Sequence, residues 1–200
     1  MTLGEEWYSK KTIETKRDTK MRLMHAAKAH KFASALCAST CHSYDIDLLH
    51  TVSFELTLVS VEQSLRTLSL WFFPDFPEEL KHDLYSDYKK LRDKGPGEEW
   101  IRTNIAPRIN DCAETEKISP ISWEELIKCL KKHTSSYLSV KYFRVKGKGG
   151  KLYNKPLFTA REKLVLYCFA AALIEQNENM MIKEAAERAL SLIEHETAED

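Results

Sequence analysis

Residues 45–71 read DIDLLHTVSFELTLVSVEQSLRTLSLW, and this stretch decides the fold class. Leu49, Val52, Leu56 and Val59 recur at three- and four-residue steps and mark one apolar stripe, while Phe54, Leu58, Val61, Leu65 and Leu68 mark a second. Such steps place side chains on one face of an α-helix. A surface helix needs a single stripe, so a helix apolar on two sides belongs at the centre of a bundle. The density of the pattern predicts that Leu49, Val52, Leu56, Val59, Leu65 and Leu68 are buried there. Glu62 and Arg66 stand at i and i+4 on the same helix, an orientation suited to a structural ion pair.

Helical signals continue on both sides of this stretch. Thr19 to about Thr40 carries Met21, Met24, Ala27, Phe32, Ala35 and Leu36 at mixed three- and four-residue spacings, suiting a helix with one buried face. Downstream, Pro74-Asp75-Phe76-Pro77 breaks the central helix, and Pro77 fits the first turn of a helix over Glu78–Lys94. Gly95-Pro96-Gly97 ends that helix. Glu98–Glu116 predicts a weaker helix interrupted near Pro107. Ser122-Trp123-Glu124-Glu125 has the form of a capping box and opens a helix to about His133. Thr159-Ala160-Arg161-Glu162 repeats the device ahead of Lys163–Gln176, and a last helix runs from about Met180 to His195. The expected fold is therefore all-α: one domain over residues 1–200, an up-and-down helical bundle with a long central helix and an irregular basic region around residues 134–158.

Lys plus Arg equals Asp plus Glu at 30 each, so net charge gives no general attraction to nucleic acid or membrane. The five cysteines, an odd number scattered through helical patterns, read as reduced thiols in a cytoplasmic protein. No secretory leader and no uncharged stretch of membrane-spanning length is present, so no membrane contact is expected. Cys37-x-x-x-Cys41-His42 lacks the second Cys/His pair that a structural zinc site requires, and no metal or other cofactor is expected. Lys146-Gly147-Lys148-Gly149-Gly150-Lys151 does not have the spacing of a phosphate-binding P-loop. No Gly-x-Ser-x-Gly or His-Glu-x-x-His pattern occurs among the serines and seven histidines.

Charge distribution says more than charge balance. From Leu126 through Arg161 there is no Asp or Glu, while ten Lys and Arg residues fall in the same window. Tyr137, Tyr142, Phe143, Tyr153 and Phe158 are interleaved with them. Cations beside aromatic rings are what a phosphate backbone with stackable bases requires, and Lys141, Tyr142, Arg144, Lys146, Lys148, Lys151 and Tyr153 are the candidate contacts to nucleic acid or phosphate. A solvated basic face, or one that meets an acidic protein partner, has the same composition.

Three segments together resemble the HEPN superfamily, small helical bundles of prokaryotic defence and toxin–antitoxin systems. Glu62-Gln63-Ser64-Leu65-Arg66 resembles its Glu-x-x-x-Lys stretch, and His82-Asp83-Leu84 its His-Asp-Leu segment. Tyr137-Leu138-Ser139-Val140-Lys141-Tyr142-Phe143 is similar to its Tyr-x-x-x-Arg-Tyr-Pro segment, with Lys141 in place of Arg and Phe143 in place of Pro. The resemblance covers roughly residues 20–178 and leaves 1–19 and 179–200 as helical extensions. It implies a divergent, non-enzymatic member that binds RNA, a nucleotide or a protein partner through residues 128–161. It also implies a homodimer, since family members pair through their long helices and Trp71, Phe72, Phe73 and Phe76 crowd one helix end. Ribonuclease members carry Arg, four to six residues, then His. The match in this chain is Arg188 to His195, which gives a second reading as a metal-independent ribonuclease. In that reading His195 is the acid or base and Arg188 stabilises phosphate charge. A protein-interaction module is the third.

Overall fold

The computed structural model describes the backbone of residues 3–40, 46–73, 83–134 and 158–197, and the side chains of these except 3–17, 40, 46–50 and 192–197. Six α-helices make up the described residues: α1 (Leu3–Thr40), α2 (Ile46–Phe72), α3 (Leu84–Lys94), α4 (Gly97–Thr115), α5 (Trp123–His133) and α6 (Ala160–Thr197). The architecture is the expected all-α bundle. No described helix is long and apolar enough to cross a membrane.

α1 and α2 run antiparallel against a seam of small polar side chains. The Ser34 hydroxyl donates to the Ser53 carbonyl and the Ser53 hydroxyl to the Ser34 carbonyl, both at 2.8 Å, and Ser60 donates to the Ala27 carbonyl at 2.8 Å. Short side chains let the two backbones approach, and each buried hydroxyl is satisfied by the other helix. α6 lies antiparallel to α1, linked by Lys20–Glu184 at 3.5 Å and by a Lys28–Glu178 pair. It meets α2 through the Asn177 amide, which donates to the Ser64 carbonyl at 3.0 Å. The core then forms where α3, α4 and α5 close over α2 and α6: Phe54, Leu58, Leu65, Leu91, Ile105, Leu126 and Phe169 are wholly or almost wholly buried.

Several helix boundaries differ from the sequence expectation. α1 starts at Leu3, well before Thr19. α3 starts at Leu84 and not at Glu78, because Asp83 is an N-cap in extended conformation whose carboxylate accepts from the Ser86 N–H at 2.8 Å. α4 is continuous through Pro107. The N–H that Pro107 lacks would have met the Thr103 carbonyl, and both residues lie on the exposed face, where water can take that carbonyl. The expected gap between Gln176 and Met180 is absent, since α6 runs unbroken to Thr197. Asn177, within that expected gap, bonds the Leu173 carbonyl at 2.8 Å inside its own helix and reaches Ser64 on α2.

The burial of α2 also differs from expectation. Leu65 and Leu68 are buried, but Val52, Leu56 and Val59 are only half-buried, and the side chain of Leu49 lies outside the described residues. The stripe that fills the core is the second one, Phe54, Leu58, Val61, Leu65 and Leu68.

Both expected N-terminal caps form. Ser122 accepts from the Glu125 N–H at 3.1 Å. The Thr159 N–H donates to Glu162 Oε2 at 2.8 Å while the Glu162 N–H donates to Thr159 Oγ1 at 3.1 Å, a reciprocal capping box. α4 ends in a Schellman turn: the Ile118 N–H reaches the Ala113 carbonyl at 2.9 Å and Lys117 takes the left-handed conformation at φ 55°.

Candidate nucleic-acid interface

A cleft of ≈ 480 Å³ opens between α3, α4 and α5. Local sequence explains how each wall is placed. Tyr85, Tyr88 and Arg92 follow one another at three and four residues along α3 and so share a face. The Ser122 cap makes Trp123 the first residue of α5, which carries Ile127 and Lys131 along the same side at four-residue steps. α4 supplies Glu98 and Arg102, an i,i+4 ion pair at 2.8 Å. The Tyr85 N–H donates to the Thr134 hydroxyl at 3.0 Å, tying the start of α3 to the end of α5.

Aromatic rings form the floor. Tyr85 and Tyr88 stack at 6.2 Å between centroids, and Trp123 tilts against Tyr88 at 6.1 Å. Tyr88 is buried, and burial pushes its hydroxyl up to about 12, so it stays protonated at neutral pH. The Arg102 guanidinium lies 5.7 Å above the Trp123 ring and the Lys131 ammonium 5.1 Å above Tyr85. Such cation–π contacts place positive charge over the ring faces. Four cations, Arg92, Arg102, Lys128 and Lys131, face two carboxylates, Glu98 and Glu124. Arg92 is shared with Asp93 at 2.6 Å, whereas Lys128 and Lys131 have no carboxylate partner among the described residues. The cleft thus combines stackable faces with excess positive charge.

No family model, curated protein or solved structure matches this chain. The cleft is a candidate site on its geometry alone.

Of the residues expected to bind nucleic acid or phosphate, Lys141, Tyr142, Arg144, Lys146, Lys148, Lys151 and Tyr153 lie outside the described residues. The flanks of the basic segment are described, and they divide. Arg161 is a structural cation: its guanidinium grips both Glu125 oxygens at 2.8 and 2.9 Å and donates to the Ser119 and Pro120 carbonyls at 2.9 and 3.0 Å. Lys132 pairs with Glu162 at 2.6 Å. Lys128 and Lys131 turn the other way, into the cleft.

The Arg188–His195 pair lies on one face of α6. Arg188 pairs with Glu184 at 2.5 Å and borders a small cavity with Lys20, Met21, Trp71, Met181 and Ala185, a lining that includes no histidine among the described residues. The side chain of His195 lies outside them. Cys41 and His42 are outside as well, and no group of three His, Cys, Asp or Glu side chains able to hold a metal gathers among the described residues.

Beneath the cleft floor α2 meets α3 through charged groups. Glu62 and Arg66 form the expected ion pair, and both are buried. Asp87 lies beside them, and burial raises its carboxyl to about 6 against the opposing pull of Arg66 and Lys90. His133, wholly buried, packs edge-on to Phe54 at 5.0 Å and stands 3.5 Å from Glu162. Burial lowers its pKa, so the imidazole is neutral at pH 7. Glu62, Arg66, Asp87 and His133 are buried, and none of them lines the cleft.

Proposed function

We propose that this protein binds single-stranded nucleic acid. Bases stack on Tyr85 and Trp123, the half-buried rings of the cleft, which the buried Tyr88 backs, and phosphates are held by Lys128, Lys131, Arg92, Arg102 and the basic segment that follows α5. The observation that carries the reading is the juxtaposition of rings and cations from three helices in one open cleft. Base stacking on aromatic side chains tolerates sequence, because every base has a π-face, and positive charge along the groove supplies most of the affinity. A duplex keeps its bases stacked on one another, so this floor favours unpaired strands.

Sequence supports the same surface from a second direction. The acid-free window begins at Leu126, within α5, so the cleft and the basic, aromatic residues 135–157 are consecutive in the chain. Binding without cleavage is the activity assigned, in keeping with the resemblance to non-enzymatic HEPN proteins.

The test is fluorescence anisotropy with labelled single-stranded RNA, single-stranded DNA and duplex RNA over a range of salt. Single strands should bind more tightly than duplex and weaken steeply as salt rises. Absence of binding to any of the three at low salt would overturn the proposal.

A further inference from the structure

Apart from the cleft, α1, α2 and α6 border a cavity of ≈ 40 Å³. On α6 Met181, Glu184 and Arg188 follow one another at three and four residues, so they share the face that lines it. Lys20 and Met21 come from α1, and Trp71 stands in the last turn of α2. One water needs roughly 10–15 Å³ of cavity, so the space suits a group the size of a few waters and is too small for a base.

Most of its polar groups are donors. The Lys20 ammonium lies 3.4 Å from the centre of the Trp71 ring and 3.5 Å from Glu184 Oε2. Arg188 holds the other Glu184 oxygen at 2.5 Å. One carboxylate thus serves two cations, and the lining keeps an excess of positive charge. The Lys20 side chain is only 12% exposed, so salt and water screen that charge weakly. The Trp71 indole N–H is buried and has no acceptor. Buried N–H groups ordinarily have one, so a third donor in the cavity wall is open to an acceptor.

An anion answers both the charge and the donor. Lys20, Trp71 and Arg188 stand on three different helices, and a tetrahedral phosphate turns oxygens in more directions than a planar carboxylate can. Arginine also takes phosphate through paired N–H···O bonds. We propose that Lys20, Trp71 and Arg188 form a binding site for a phosphate group, which competes with the Glu184 carboxylate for the two cations. Glu184 holds the cations together when phosphate is absent and sets the affinity when it is present.

The experiment is isothermal titration calorimetry of the full-length protein at fixed ionic strength, with inorganic phosphate as the probe. Phosphate should bind saturably with a Kd below about 10 mM. Arg188→Ala and Lys20→Ala should each weaken it about tenfold or more, the loss of a charge-assisted hydrogen bond. Trp71→Phe keeps a ring and removes the N–H, and should weaken binding about fivefold. Glu184→Gln keeps the shape and removes the competing charge, so it should tighten binding about fivefold or more. A gain of affinity cannot come from misfolding, and melting temperatures establish that the other variants are folded. Acetate should bind more weakly than phosphate. Ribose 5-phosphate separates the two sources of the group: affinity equal to or above that of the free ion assigns a phosphomonoester, and lower affinity assigns inorganic phosphate. No saturable binding, affinity unchanged in Arg188→Ala, weaker binding in Glu184→Gln, or acetate bound as tightly as phosphate would overturn the proposal.

Discussion

The ammonium of Lys131 lies 5.1 Å above the centre of the Tyr85 ring, joining α5 to α3 across the mouth of the cleft. If this pair contacts nucleic acid, its two members act through different physics. Lys131→Ala should reduce the slope of log affinity against log salt by about 0.7 for a single strand, the release of one phosphate's counterions. Tyr85→Ala should weaken binding by about 1–3 kcal/mol with the slope unchanged, since stacking releases no ions. The double variant should fall short of the sum, because the side chains touch. Equal changes of slope in both single variants would count against the assignment of roles.

The core stripe of α2 gives a stability test. Leu58 is wholly buried and Leu56, two residues before it, is half-buried. Leu58→Ala should cost about 2–5 kcal/mol in urea denaturation, and Leu56→Ala less than about 1.5 kcal/mol. Equal costs would mean that both stripes are buried in solution. Periodicity reveals that α2 has two apolar sides and ranks neither above the other. Which side meets α3, α4 and α6 depends on partners far away in the chain. Ser53, Thr57, Ser60 and Ser64 hold the clue in retrospect, since this small polar seam is where α2 approaches α1 and α6.

Pro107 inside α4 makes a second stability test. The helix tolerates it on an exposed face, yet one backbone hydrogen bond is missing there. Pro107→Ala restores that bond, but it also makes the unfolded chain more flexible. The net gain should be about 1–3 kcal/mol, read as a higher urea midpoint. A lower midpoint would show that the ring's packing or its restriction of the unfolded state outweighs the bond.

Local features are legible in the amino-acid sequence alone: both helix caps, the Gly95–Gly97 turn and the Glu62–Arg66 pair each involve residues within a few positions of one another. The cleft is legible only in part. Lys128 and Lys131 belong to the acid-free window, but Tyr85, Tyr88 and Arg92 come from α3, Glu98 and Arg102 from α4, and no short-range pattern links them to α5. The spacing of Tyr85, Tyr88 and Arg92 is the signal that the sequence does carry, and it marks a shared face without saying what that face meets. Arg161 goes the other way. Within the window it is one cation among ten, and only the fold shows it engaged by Glu125 and two carbonyls.

Asp87 makes stability depend on pH in an unusual direction. Its carboxyl is raised to about 6 by burial, with Arg66 and Lys90 opposing and Glu62 and Asp83 reinforcing the shift, whereas in the unfolded chain it titrates near 3.8. Between these values the folded protein holds a proton that the unfolded chain has lost, so stability from this group is full below pH 4 and is lost as pH rises through 6. The gap between the two values corresponds to roughly 3 kcal/mol. Buried, neutral His133 works in the opposite sense: its lowered pKa means that acid favours the unfolded chain, and stability rises as pH climbs towards 6.5. The two effects overlap, so the net pH profile of the wild type does not isolate either. Asp87→Asn keeps the shape and His133 while removing the carboxyl. The difference in unfolding free energy, wild type minus Asp87→Asn, should therefore decline by roughly 2 kcal/mol from pH 4 to pH 6.5 and level off above about pH 7. Urea titrations at half-unit pH intervals measure it. A difference that stays constant over this range would mean that Asp87 is ionised in the folded protein throughout, held by Arg66 and Lys90 against its burial.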